Sequence, residues 1–244
     1  MNNKIRMNTV LGRRILSLIR HGDYAHPGEE KAIDLAFKNI TKDSDRLLLD
    51  VGCGLGGTVE YLGNNGYGKV TGIDLNAEEV EFAKTKYPDL DLIAGSVYDI
   101  GKLSKIKYDL IYHFCSFYSF PDQQSALTAV REVAHYGSKL IIFDYARNGK
   151  YPVKVSEIPN PLDLDQIENM LEFSGWKLKK IEDISDFYLS EYAKFIDKIK
   201  DKREDIIRMS TEEMYQHVIY AYTDIYNAYK NKVLKAVIIY AEAI

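Results

Sequence analysis

Cysteine is scarce in this chain, two in 244 residues, and Cys53 and Cys115 form neither a C-x-x-C pair nor a set spaced with histidines as zinc ligands are. No disulfide framework and no metal site is expected, and a reduced, cytoplasmic setting follows. No stretch reaches the roughly 18 apolar residues of a membrane span. Arg13, Arg14 and Arg20 interrupt the apolar N-terminal residues, so secretion is not expected. Positive charge is not in excess either. The 32 basic and 36 acidic side chains leave a net charge of −4, which offers no field to gather nucleic acid or an anionic membrane. Internal repeats and low-complexity tracts are missing too. One α/β domain over residues 1–244 is therefore expected.

What is present is concentrated in residues 47–57, LLLDVGCGLGG. Leucines, an acid and a valine run into Gly52, Gly54, Gly56 and Gly57, the pattern of a buried parallel strand ending in a turn where backbone must approach a ligand. A helix opening near Thr58 would aim its free N–H groups at the same place. The glycines alone fit two cofactors. Gly52, Gly54 and Gly57 give the dinucleotide spacing G-x-G-x-x-G, while Gly52, Gly54 and Gly56 give the G-x-G-x-G of S-adenosylmethionine enzymes. Asp50 would meet a pyrophosphate with like charge, but suits the ammonium of a methionine moiety. Residues 70–76, VTGIDLN, then read as a second strand ending in Asp74, from which an acid can bond both ribose hydroxyls. DVGCGLGG followed by GIDLN closely resembles motif I and its partner acid in the class I S-adenosylmethionine-dependent methyltransferases.

Along the chain, residues 8–20 read as an amphipathic helix. HGDYAHPGEE follows as a loop able to fold over the cofactor mouth, with His21, Tyr24 and His26 as its polar aromatic groups, before a helix over 29–39. Helices are predicted over 58–64 and 77–87, the latter capped by Asn76 and stopped by Pro88, around a strand at 69–74. DLDLIAGSV supplies the third strand. Residues 108–122, YDLIYHFCSFYSFPD, give the fourth strand and its loop, whose C-terminal end must open onto the ligand crevice near His113, Phe114 and Cys115. Gly137 is read as the end of a helix before the fifth strand at 139–146. A loop with Pro152, Pro159 and Pro161, a helix over 163–174, a sixth strand in WKLKKIEDIS and a last strand at 233–244 complete the domain.

Residues 186–232 form a helical insertion before that last strand. Within it Tyr215, Tyr222, Tyr226 and Tyr229, at intervals of seven, four and three, share one helix face. The stripe reads either as core packing or as an aromatic lid over a cationic substrate. The charged helix before it, over 189–208, reads as a solvated face.

From His21 onward the chain resembles the sarcosine/dimethylglycine and phosphoethanolamine small-molecule methyltransferases, in DYAHPGE, the YDLIY strand, FDYA on the fifth strand and the helical insertion. The resemblance implies a doubly wound, mostly parallel, seven-stranded Rossmann-like sheet. It implies a cap at 186–232, N-terminal helices and a covering loop at 1–40, and S-adenosyl-L-methionine as cofactor. The cofactor would be held by Tyr24, His26, Asp50, Gly52, Cys53, Gly54, Gly56, Asp74, Leu75, Ser96, Val97 and Phe114. Ser96 stands where the family usually has an acid near the adenine, with Asp99 as an alternative partner. Phe114 and Cys115 replace the Arg-Asp pair of phosphoethanolamine enzymes, and Ser119 replaces their histidine, which points away from a phosphobase acceptor.

The expected activity is methyl transfer to a small molecule, an amine in preference to a hydroxyl. Phenols at Tyr118, Tyr145 and Tyr222 can accept N–H donors, and their ring faces favour the ammonium that forms. Alignment supplies much of such a reaction's acceleration. Tyr24, His26 and His113 are the candidate proton acceptors, without a choice among them. An O-methyltransferase and a catalytically silent S-adenosylmethionine-binding protein are the alternatives.

Overall fold

The computed structural model describes residues 7, 9–20, 22–149, 155 and 157–244, so His21 and Pro152 lie outside the described residues. Helices α1 (Val10–Arg20) and α2 (Glu29–Phe37) precede strand β1 (Leu47–Val51), α3 (Gly57–Asn64), β2 (Lys69–Asp74), α4 (Ala77–Lys86), β3 (Asp91–Ala94) and α5 (Ile100–Leu103). Then come β4 (Tyr108–Phe114), α6 (Gln123–Glu132), β5 (Ala134–Arg147), α7 (Ile167–Phe173) and β6 (Trp176–Asp183). Helices α8 (Ser185–Asp201), α9 (Arg203–Met209) and α10 (Glu212–Lys230) lead to β7 (Leu234–Ala243). The strands make one seven-stranded sheet in the order β3-β2-β1-β4-β5-β7-β6. Strands β1 to β5 pair in parallel, and β7 runs antiparallel between β5 and β6. This is the doubly wound, mostly parallel arrangement the sequence implies, and β1 and β4 flank the point where the winding reverses.

Strand alternation sorts the core into two faces. Leu48, Leu110, Tyr112, Phe114, Phe143 and Tyr145 pack with α1, α2, α8 and α10 on one face. Leu49, Val51, Ile111, Ile142 and Ala146 pack with α6 and α7 on the other. The insertion helices therefore share a face with the N-terminal helices. No helix among the described residues is long and apolar enough to cross a membrane.

Two expectations change. Gly137 does not end a helix: α6 stops at Glu132, and Gly137, at φ +81°, lies within β5. The stretch read as one solvated helix is broken at Lys202, and α8 buries Tyr188, Tyr192, Phe195 and Ile199. Those residues are spaced four, three and four, so the inward face was periodic. The surrounding charges, which pair at the surface as Lys194 with Glu191 and Lys200 with Asp197, masked it.

Candidate functional site

The site lies where β1 and β2 end. Gly52 and Gly56 adopt φ +83° and +85°, and a Cβ on Gly52 would come within 2.3 Å of the Ser116 Cβ, so a larger residue there would displace the loop after β4. Ser116 ties that loop to β1 by donating from Oγ to the Val51 carbonyl at 2.5 Å. Asp74 accepts from the Gly54 N–H at 2.8 Å and the Asn76 N–H at 2.9 Å, which fixes its carboxylate across the turn. Asn76 caps α4 as expected, accepting from the Glu78 and Glu79 N–H groups.

Asp50 is buried beside Tyr112 and Asp74 with no cation paired to it among the described residues. Burial first, and the Asp74 charge second, push its carboxyl up to about 8. A carboxyl held in this way, largely protonated at neutral pH, would ionise against an incoming ammonium. A Cβ built on Gly54 would meet no atom nearer than Glu79 Oε2, at 3.5 Å, so backbone is exposed where a ribose must come close. The donor set thus fits S-adenosylmethionine.

The loop before α2 lies directly on this turn, for a Cβ on Gly57 would meet the Asp23 carbonyl oxygen at 2.6 Å. Asp23 pins the loop, accepting from Ser17 Oγ at 2.6 Å, Lys86 Nζ at 2.5 Å and the Tyr87 hydroxyl at 2.6 Å. Those partners outweigh its burial and hold its carboxyl below the usual range. His26 is buried, with Nε2 3.2 Å from Thr58 Oγ1 and Nδ1 without a partner among the described residues. Burial lowers its pKa to about 3, so the ring is neutral and anchors the loop to α3. Tyr24 packs against His26 at 5.7 Å but sends its hydroxyl outward to Glu30.

Phe114 continues the wall, 4.8 Å from His26 and 5.0 Å from Phe143. From Phe143 the rings extend to Tyr188 at 5.3 Å, and Tyr188 meets Tyr145 at 5.5 Å and Tyr229 at 5.5 Å. Tyr118 sits edge-on to Tyr145 at 5.0 Å, and Tyr192 stacks on Tyr222 at 6.1 Å. The Tyr145 and Tyr192 hydroxyls bond each other, and the Cys115 thiol pairs with the Tyr188 hydroxyl at 2.9 Å. Burial raises the pKa of each of these phenols, so all are neutral. The result is a buried cluster of packed, uncharged tyrosines, called the tyrosine chamber below for the acceptor it would hold. Of the α10 stripe, Tyr215, Tyr222 and Tyr229 are buried, while Tyr226 is only partly so.

The structure brings Tyr24, His26, Asp50, the glycine turn, Asp74 and Phe114 to one end of the site, and Tyr118, Tyr145 and Tyr222 to the other. His113 stands apart from the tyrosines and reaches the glycine turn only through Ser116, whose Oγ lies 3.5 Å from its Nδ1. Alternation along β4 turns it to the α6 face, where its ring meets Phe117 at 5.1 Å and Phe120 at 5.7 Å, and burial lowers its pKa to about 3. Leu75 is 77% exposed, Val97 is buried, and Cys53 is buried with its thiol pushed up by burial. Ser96 Oγ accepts from the Tyr98 N–H, and Asp99 pairs with Lys102.

Sequence reasoning missed Asp144. Its carboxylate, raised to about 7 by burial, accepts from the Phe117, Tyr118 and Tyr145 N–H groups at 2.8, 3.2 and 2.7 Å and so sets two chamber tyrosines. It also missed Arg13, whose Nε lies 3.6 Å from Glu79 Oε2 and within electrostatic reach of Tyr118, Asp74 and Tyr222. Its signal was the seven-residue spacing to Arg20, which puts both on one side of α1.

Residues 49–142 match the family model described as a methyltransferase domain. A phosphoethanolamine N-methyltransferase from Arabidopsis thaliana is 26% identical over 200 residues, which are 78% of this chain and 39% of that protein. The chain thus spans about two fifths of that relative's length. The O-methyltransferase cnsE of Penicillium expansum is 26% identical over 187 residues, 68% of this chain and 67% of that protein. Phosphoethanolamine N-methyltransferase 2 of Haemonchus contortus, solved in complex with S-adenosyl-L-methionine, has the same fold. Its TM-score is 0.83 at 14% identity, over 96% of this chain and 57% of that one. The glycine turn with its two acids, the strand order and these likenesses converge: the chain carries a methyltransferase domain, has the class I methyltransferase fold and is similar to enzymes that use S-adenosylmethionine.

Proposed function

We propose that this chain transfers a methyl group from S-adenosylmethionine to the nitrogen of a small-molecule amine held among the chamber tyrosines. The observation that carries the reading is the unbroken run of rings from His26 through Phe114 and Phe143 to Tyr188 and Tyr145, which joins the glycine turn to the chamber. When bound, S-adenosylmethionine supplies a methyl already activated by its sulfonium. The chain's own residues hold and align. Asp74 presents its carboxylate to the ribose, Asp50 gives up its proton as the ammonium arrives, and the glycines let backbone approach. The chamber excludes water and offers ring faces to the developing ammonium. His26, neutral down to about pH 3, is too weak a base to carry the step. Alignment of a neutral amine does most of the work.

In this reading α8 to α10 cap the acceptor, while α1, α2 and their loop cover the cofactor. The net charge of −4 supports a cytoplasmic enzyme without a nucleic-acid or membrane partner. The O-methyltransferase relative supports the second reading, a hydroxyl acceptor in the same chamber.

Calorimetry with S-adenosylhomocysteine, and NAD as control, followed by mass detection of methyl transfer to a panel of amines, carboxylates and phenols, tests the proposal. Expected are S-adenosylhomocysteine binding, weakened by about 1–3 kcal/mol in Asp74→Ala, and N-methylated product. Product from phenols alone selects the second reading. Cofactor binding without any product marks a silent binding protein.

A further inference from the structure

Arg20, the last residue of α1, is only 4% exposed, and its guanidinium lies over the Phe195 ring of α8 at 4.0 Å. One nitrogen, Nη1, has a partner: Glu29 Oε1 at 3.3 Å, an oxygen approached also by Lys198 Nζ at 3.7 Å. Nε and Nη2 are buried and meet no acceptor among the described residues. A buried cation with idle donors is costly, and natural structures keep such groups where something else completes them.

Four further groups around it are neutral. Cys115, Tyr192, Tyr222 and His26 lie within electrostatic reach of the guanidinium. Burial keeps the thiol and phenols protonated and the imidazole uncharged. Among the described residues two cations therefore share the Glu29 carboxylate, and Arg20 Nε and Nη2 have no anion of their own. The idle pair also has a shape: Nε and Nη2 form the side-on edge of a guanidinium, which a carboxylate takes with two parallel hydrogen bonds. One fork and one unbalanced charge match a monoanion.

We propose that Arg20 anchors a carboxylate carried by the acceptor, with its aromatic neighbours packing the rest of that molecule. The assignment rests on the methyl-transfer reading for the word acceptor, but not for the anion site itself. It is tested by calorimetry of acetate and benzoate against their neutral counterparts acetamide and benzamide, with and without saturating S-adenosylhomocysteine. The wild-type protein is expected to bind each carboxylate about tenfold or more tighter than its amide. Arg20→Met is expected to erase that preference, and Arg20→Lys, which keeps the charge and loses the fork, to restore part of it. S-adenosylhomocysteine affinity should stay within about threefold in both variants.

A wild-type protein without the preference overturns the proposal, and needs no variant to do so. So does a preference that survives in a folded Arg20→Met. A parallel loss of S-adenosylhomocysteine affinity also overturns it, because the guanidinium would then hold the cofactor's own carboxylate. A protein that prefers carboxylates through Arg20 yet methylates nothing keeps the anion site and refutes the methyl-transfer reading.

Discussion

At the glycine turn, position is set by backbone: φ angles near +85° at Gly52 and Gly56, a strand end, and N–H groups that clamp Asp74. In the tyrosine chamber, position is set by side chains from β4, β5, α8 and α10 that meet only because the sheet and the insertion stack on one face. The first end holds buried Asp50 and Asp23 and the clamped Asp74, with His26 bonded to Thr58 at its rim. The second holds neutral rings and, at its edge, a single buried guanidinium. In the proposed reading a ligand bridging them would be gripped by charge and backbone at one end and by shape at the other, so the two ends should fail in different ways when altered.

Gly52→Ala should produce the largest effect. It forces an L side chain into the left-handed region and a Cβ to within 2.3 Å of the Ser116 Cβ. Denaturation is expected to show a loss of about 2 kcal/mol or more, with S-adenosylhomocysteine binding gone by calorimetry. A tolerant variant would break the claim that backbone sets this end.

Tyr145→Phe sharpens the contrast from the other side. The Tyr145 and Tyr192 hydroxyls bond each other in the interior, so removing one leaves the other buried without its partner, at about 1–3 kcal/mol. Acceptor kcat/KM should fall about tenfold while S-adenosylhomocysteine affinity holds. If both fall together, the ends are not separable.

The smallest effect is a pH slope. Asp50, raised to about 8 in the folded protein from an unfolded value near 3.8, binds a proton the unfolded chain has released. That contribution to stability is complete below the unfolded value and is lost as pH rises through the folded one. His26 and His113, lowered to about 3, act in the opposite sense, their contribution being lost only as pH falls below about 6.5. Between pH 6.5 and 8.5, thermal midpoints should therefore fall more steeply in the wild type than in Asp50→Asn. Asp144, about 7, tilts both proteins alike and cancels in the difference. Equal slopes would mean Asp50 is already ionised without a cofactor.

The backbone-set end was readable in the sequence because its causes are local: hydrophobic residues into glycines, an acid closing the next strand, and Asn76 capping α4. The chamber was readable only in fragments. Tyr118, Tyr145 and Tyr222 could be named, but Asp144, Asp23 and Arg20 could not, since each acquires meaning from distant partners. Asp23, for example, meets Lys86 and Tyr87 across most of the first half of the fold. Gly137 shows the opposite failure, a local signal with two outcomes, since a positive φ serves a strand irregularity as well as a helix end.

Strands β6 and β7 are antiparallel neighbours, with Asp183 opposite Val237 and the Ile184 N–H bonded to the Ala236 carbonyl at 2.8 Å. The chain leaves the sheet and returns to it at adjoining points, so α8, α9 and α10 form a detour whose ends are already closed. The entropic cost of lengthening such a detour grows only with the logarithm of its length. Such a segment can be exchanged for a longer, shorter or differently lined one while strand order and glycine turn stay as they are, so if α8 to α10 hold the acceptor as proposed, what is methylated can change without touching how.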